Sequence, residues 1–267
     1  MTTLHITTLQ EDLVWENKSA NLRMFEDLIL NKTGPTEVVV LPEMFTTGFT
    51  MRPELFAEPM DGETIDWMRD MARIKKAIIT GSMIVSEAGK YYNRLVWMQP
   101  DGQLGYYDKR HLFSLAGEEK HYTAGNRKLI ASVKGWKINL QICYDLRFPV
   151  WARQAPSKPV ATGVPRYDVL LYVANWPQRR SHAWKTLLTA RAIENQCFVV
   201  GVNRVGNDGN GIYHSGDSLV IGPMGQQLYH VADRADTHGI LLQKSMLDET
   251  RTNLAFLDDA DSFFIEI

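Results

Sequence analysis

The sequence predicts a layered α/β domain in which mixed sheets are covered by helices, and three observations carry that prediction. Short apolar runs alternate with stretches of helical periodicity, hairpin signals interrupt the alternation, and no linker divides the 267 residues. Residues 4–9 alternate as a strand does, and Leu22, Phe25, Leu28 and Ile29 then repeat at helical spacing. Val38, Val39, Val40 and Leu41 form a run with no polar face, expected of a strand buried on both sides, and Pro42 stops it just before Glu43. Ile65, Met68 and Ala72 mark a second helix, and residues 77–85 read as the next strand. Residues 91–99, a turn at Pro100-Asp-Gly102 and residues 104–109 read as a hairpin, so antiparallel pairing enters a parallel pattern. After a polar loop at 117–127, strands are expected at 128–133 and 137–142, divided at Gly135, and the second runs into Cys143. Residues 168–174 are a further buried strand, 181–196 a helix with Ser181 as its cap, and 197–203 a strand. Glycines at 206–211 mark a turn, Gly222-Pro-Met-Gly225 places a final hairpin over 218–231, and the remainder reads as short strands and turns. A single domain over 1–267 follows, without internal repeats.

Composition closes off several function classes. Lys and Arg number 29 against 31 Asp and Glu, a net charge of -2, with the two signs interspersed. Such a chain has no basic stripe for nucleic acid and no polybasic anchor for a membrane. Its longest apolar stretches, such as residues 168–174, fall far short of the roughly 18 residues a bilayer crossing needs. Glu11 and Asp12 stand where a signal peptide would be apolar, so a cytoplasmic protein is expected, with Cys143 and Cys197 as free thiols. The histidines form no His-x-x-x-His pair and the cysteines no paired spacing, which predicts no metal site. No Gly-x-Gly-x-x-Gly opens a helix after a strand, so no nucleotide is expected either; the protein should need no cofactor.

Three polar residues stand at the ends of apolar strands, where layered α/β folds place their ligands: Glu43, Lys109 and Cys143. Cysteine is the best side-chain nucleophile, but its thiolate must be supplied by a base or by nearby positive charge, and a carboxylate and an ammonium supply both. Taken singly, each residue also has a plain structural reading, as a solvated strand boundary or a small buried hydrophobe.

The wording around them is more specific. Leu41-Pro-Glu-Met-Phe45, Tyr107-Asp-Lys-Arg-His-Leu-Phe113 and Gln141-Ile-Cys-Tyr-Asp-Leu-Arg-Phe-Pro149 resemble, in order and spacing, the three catalytic motifs of the nitrilase superfamily of carbon-nitrogen hydrolases. The resemblance continues through Ala174-Asn-Trp-Pro177, Leu188-Thr-Ala-Arg-Ala-Ile-Glu-Asn195 and Asn203-Arg-Val-Gly206, and is greatest to the omega-amidases of the YafV type. It implies a four-layer α-β-β-α sandwich of two mixed sheets, pairing into a homodimer. It also implies Cys143 as nucleophile, Glu43 as general base and acid, and Lys109 as the cation that stabilises the oxyanion. Many members carry a second glutamate seven residues before the glycine that closes the loop after the lysine motif; counting back from Gly125 gives Glu118, with Glu119 adjacent. The backbone N–H of Tyr144, just after the nucleophile, is the natural second oxyanion donor, and Glu118 would orient the substrate amide or the water.

The substrate class implied is a small dicarboxylic monoamide. Arg147 either holds its carboxylate in a two-pronged grip or pairs internally with Asp145. Trp176 and Phe45 either wall the pocket or pack in the core. The rival readings are another carbon-nitrogen hydrolase, such as an N-carbamoyl amidohydrolase, aliphatic amidase or nitrilase, and a catalytically silent α/β binding scaffold.

Overall fold

The valine run shows how the layers arise. Val38 and Val40 enter one hydrophobic core and Val39 another, because successive side chains on a strand project to opposite faces. The computed structural model describes residues 2–154 and 167–261 together with 263, 265 and 266. The first half of the chain supplies β1 (Thr3–Gln10), α1 (Lys18–Asp27), β2 (Val38–Val40), α2 (Pro53–Phe56), α3 (Glu63–Lys75), β3 (Ile78–Glu87), β4 (Lys90–Met98) and β5 (Leu104–Asp108). The second supplies β6 (Ile130–Val133), β7 (Trp136–Ile142), α4 (Pro149–Ala152), β8 (Val169–Ala174), α5 (Ser181–Asn195), β9 (Phe198–Asn203), β10 (Val205–Asn207), β11 (Tyr213–Ile221), β12 (Gln227–Ala232), β13 (Asp236–Gln243) and α6 (Lys244–Asn253).

Among the described residues these strands form a six-stranded sheet, β13-β1-β2-β3-β4-β5, and a seven-stranded one, β10-β11-β9-β8-β7-β6 with β12 beside β11. Each has a parallel centre, β1-β2-β3 in the first and β7-β8-β9 in the second, flanked by antiparallel strands. Leu4, Ile6 and Val40 of the first sheet share a core with Ile138, Leu140 and Val173 of the second, so the sheets pack face to face. Phe25, Ile65 and Met68 cover the outer face of the first sheet, and Trp184, Leu188 and Ala192 of α5 join the core from beyond the second. The result is the four-layer α-β-β-α sandwich. Gly201 lets α5 lie close to β9: a Cβ there would sit 2.6 Å from Leu188 Cδ1 and 2.9 Å from Trp184 Cζ2. No helix among the described residues is long and apolar enough to cross a membrane.

Three local expectations are corrected. Ser181 is not a cap, because the 3-10 turn Gln178–Arg180 runs straight into α5 and leaves Ser181 already helical, with Arg180 at the cap position and no side-chain bond there. The region after Lys109, read only as a polar loop from 117 onward, folds into single 3-10 turns at Ser114–Ala116 and Glu118–Lys120. The stretch read only as short strands and turns contains β13 and α6; α6 buries only Leu247, and β13 pairs with β1 along its whole length. Neither shows a strong apolar period, since each is held by a neighbour distant in sequence.

Candidate active site

The carboxyl-terminal ends of β2 and β5 in one sheet and of β7 and β8 in the other deliver Glu43, Lys109, Cys143 and Asn175 to one place. Glu43 is wholly buried. Its Oε1 accepts from Lys109 Nζ at 3.0 Å and from Asn93 Nδ2 at 2.8 Å, and its Oε2 accepts from the backbone N–H of Asn175 at 2.7 Å. Asn175 Nδ2 donates in return to the Glu43 carbonyl at 2.5 Å. The carboxylate on the first sheet is thereby stitched to a strand end of the second. Met44, just after it, has φ +43°, a left-handed turn that costs a non-glycine residue about 1 kcal/mol. That turn sends Phe45 into the outer core, edge-on to Phe25 at 5.8 Å and tilted on Trp67 at 5.9 Å. Phe45 is therefore a core residue and does not wall the cavity.

Lys109 is 1% exposed and reaches both oxygens of Glu118, at 3.0 and 2.9 Å. Glu118, wholly buried, also accepts the backbone N–H of Phe113 at 2.6 Å. Glu119 is exposed. In a 3-10 turn successive side chains diverge by about 120°, so only one of the two acids can face the lysine.

Cys143 opens the 3-10 turn Cys143–Arg147 at the end of β7, with φ +42°. Asp145 anchors that turn. It accepts from the backbone N–H of Ile142 at 3.1 Å and of His111 at 2.9 Å, and from Tyr107 Oη at 2.8 Å, with His111 Nδ1 also 2.8 Å away. Trp151 Nε1 donates to the Tyr107 hydroxyl at 2.9 Å, and the His111 ring stacks on Phe148 at 3.7 Å. Asp145 is thus occupied from the lysine motif. Arg147 turns away from it, its guanidinium 5.0 Å over the Trp176 ring.

Burial penalises every charge here, and neighbours decide what survives. For Lys109, burial opposes the ammonium, but Glu118, Glu43 and the sulfur of Cys143 outweigh it and hold the pKa above its usual value. Burial raises Glu118, with Lys109 opposing and Glu43 assisting. The Cys143 thiol is pushed well above the usual thiol range by burial and then by the charge of Glu43, against the pull of Lys109. The resting site is a neutral thiol beside a lysine in contact with both glutamates.

A cavity of about 370 Å³ opens onto Cys143 and Lys109. Phe49, Met51, Phe113 and Trp176 form its apolar lining, and Arg147, Arg179, Arg180 and Asp208 add charge. The Tyr144 ring lines it too, edge-on to Phe113 at 5.0 Å. Among the described residues no group of three or more His, Cys, Asp or Glu is arranged to hold a metal ion. Sequence reasoning did not single out Asn93, Tyr107, Arg179 or Arg180. Asn93 carries a signal nonetheless, a polar residue inside a strand run; its carbonyl accepts from Lys109 N at 3.0 Å while its side chain holds Glu43.

The arrangement suits attack by sulfur on a planar carbon with the proton passing to Glu43. The family model of the carbon-nitrogen hydrolases matches residues 5–251. An omega-amidase YafV of Yersinia enterocolitica is 43% identical over 266 residues, covering 99% of this chain and 100% of the relative. A 2-oxoglutaramate amidase of Bacillus subtilis is 34% identical over 262 residues, 95% of this chain and 96% of the relative. Among solved structures, a CN-hydrolase superfamily protein of Xanthomonas campestris, with an arsenic adduct in its active site, superposes with a TM-score of 0.95 at 41% identity over the full length of both chains. By that match and these identities, the chain belongs to the carbon-nitrogen hydrolases of the nitrilase superfamily.

Proposed function

We propose that the protein is an omega-amidase, hydrolysing the terminal amide of a small dicarboxylic monoamide through a thioester on Cys143. The observation that carries this reading is Lys109 buried between Glu43 and Glu118 beside the thiol, at a cavity whose charged lining includes three arginines. The omega-amidase and 2-oxoglutaramate amidase relatives support the choice of substrate.

In this mechanism Cys143 Sγ adds to the amide carbon as its proton moves to Glu43. The oxyanion is met by the Lys109 ammonium and the Tyr144 N–H, which stands at the start of a turn where no earlier carbonyl is available to it. Lys109 Nζ meets three carboxylate oxygens, two of them on Glu118, and one N–H shared between those two leaves another to face the substrate. Glu43 then protonates the leaving nitrogen, the C–N bond breaks and ammonia departs, leaving the thioester. Water adds with Glu43 as base, the C–S bond breaks, and the acid and the thiol are regenerated. Glu118 acts through Lys109, holding its ammonium in place. Trp176 walls the pocket and carries Arg147, which faces the substrate. No metal or other cofactor enters these steps.

The single domain is proposed to work as a cytoplasmic homodimer. Exposed Ile193, beside the turn that carries exposed Met224, offers an apolar contact on the α5 side.

Ammonia release across succinamate, 2-oxoglutaramate, neutral amides, N-carbamoyl amino acids and nitriles tests the reading. Preference for the two monoamides is expected, lost in Cys143→Ala. Equal rates on neutral amides point to a general amidase, nitrile turnover to a nitrilase, and no turnover with an unreactive Cys143 to a silent scaffold.

A further inference from the structure

Three guanidinium groups line one small cavity, and among the described residues none of Arg147, Arg179 and Arg180 has a carboxylate within ion-pair distance. The cavity's own acid, Asp208, turns Oδ1 onto its loop, accepting from the N–H groups of Asn210 at 2.8 Å and Ile212 at 2.9 Å. An arginine left unpaired near a reaction centre is a recognition element awaiting an anion.

The three are not equivalent. Arg147 and Arg179 are exposed, whereas Arg180 is half-buried. Its guanidinium lies over the Phe113 ring, 5.1 Å from the centroid. Its backbone is fixed twice, the N–H donating to Pro177 O at 3.0 Å and the carbonyl accepting from Trp176 Nε1 at 2.8 Å. The Trp176 ring is the one that carries Arg147, so the two arginines belong to one rigid unit. Burial lowers the pKa of Arg180, Arg179 and Arg147 lower it further, and the charge of Cys143 works the other way. Arg180 is therefore a cation short of counter-charge and close enough to the reacting sulfur to feel it.

Resting on the amidase reading above, we propose that Arg180 determines substrate specificity by gripping the distal carboxylate of the monoamide, with Arg147 as its exposed companion. A planar fork matches a carboxylate with two parallel N–H···O bonds. Seating on Phe113 fixes that fork in advance, so little freedom is lost when the anion arrives. The ligand class is a short chain with an amide at one end and a carboxylate at the other.

The test compares kcat/KM for succinamate with that for its neutral diamide, succinamide, in wild type, Arg180→Met, Arg180→Lys and Arg147→Met. Arg180→Met is expected to lower the acid-to-neutral ratio about 10- to 100-fold, chiefly through KM. Arg180→Lys should restore part of it, charge without the fork. An unchanged ratio, or equal loss on both substrates together with a fall in Tm, overturns the proposal; loss of the ratio only in Arg147→Met transfers the role to Arg147. Calorimetric titration of succinate into Cys143→Ala, with and without Arg180→Met, separates this inference from the amidase reading. Weaker succinate binding in the double variant upholds the carboxylate site even if wild type releases no ammonia. Unchanged binding overturns the site even if it does.

Discussion

Cys143 sits where its own thiolate is disfavoured. Burial and then the charge of Glu43 raise its pKa, and Lys109 only partly offsets them, so the sulfur ionises in step with attack rather than beforehand. Two consequences of opposite sign follow for Glu43→Gln. Ammonia release should fall at least about 100-fold because the proton carrier is gone. Alkylation of Cys143 by iodoacetamide at neutral pH should quicken, because the opposing negative charge is gone and the thiol pKa drops. Mass spectrometry over time reads both; slower alkylation in the variant would overturn this ordering of charges. The paired glutamates give a second contrast. Glu118 accepts from Lys109 and from Phe113 N, whereas Glu119 is exposed. Glu118→Gln should lose turnover about 10-fold or more with little change in Tm, and Glu119→Gln should match wild type in steady-state rates.

At the scale of elements, the site is held by how strands end. β7 stops in a turn pinned by Asp145, and β5 stops at Asp108 beneath the loop that carries Glu118. Gly125 closes that loop, its N–H donating to Lys109 O at 2.9 Å, and a Cβ there would lie 2.2 Å from Asp108 O. Backbone cannot swing aside as a side chain does. Gly125→Ala should therefore cost about 1–3 kcal/mol in urea unfolding and also reduce kcat, since displacement reaches Lys109. Gly34→Ala is the control, because nothing lies within 4 Å of a Cβ at that position. Equal stability of the two variants would show that the loop yields freely.

For the whole molecule, stability should carry the mark of Glu11, buried at the end of β1. Burial raises its pKa to about 7, and Asp236 and Asp12 add to the rise. The unfolded chain loses this proton near 4.5 while the folded protein keeps it, so the folded state binds more protons across that window and stability falls as pH rises towards 7. Glu11→Gln should flatten this slope and stabilise the protein by about 1–3 kcal/mol at slightly alkaline pH. Urea midpoints at two pH values, one on each side of the window, measure it; an unaltered slope would sink the assignment. How much was legible beforehand follows from the kind of information each feature needs. Val38, Val39 and Val40 announced a strand buried on both faces, and Glu43, Lys109 and Cys143 announced themselves as polar residues closing apolar strands, because hydrophobic period and strand termini are local patterns. Gly125 marked Glu118 by a count along the chain. The sequence could not say that Phe45 packs under helices, that Asp145 is taken by Tyr107 and His111 and so leaves Arg147 to the cavity, or that Arg180 lies over Phe113. It also could not say that β13 would close beside β1. Periodicity records which face of an element is apolar and is silent about what covers it. The bond from Asn175 to Glu43 spans 132 positions, and only the packing of one sheet on the other brings such partners together.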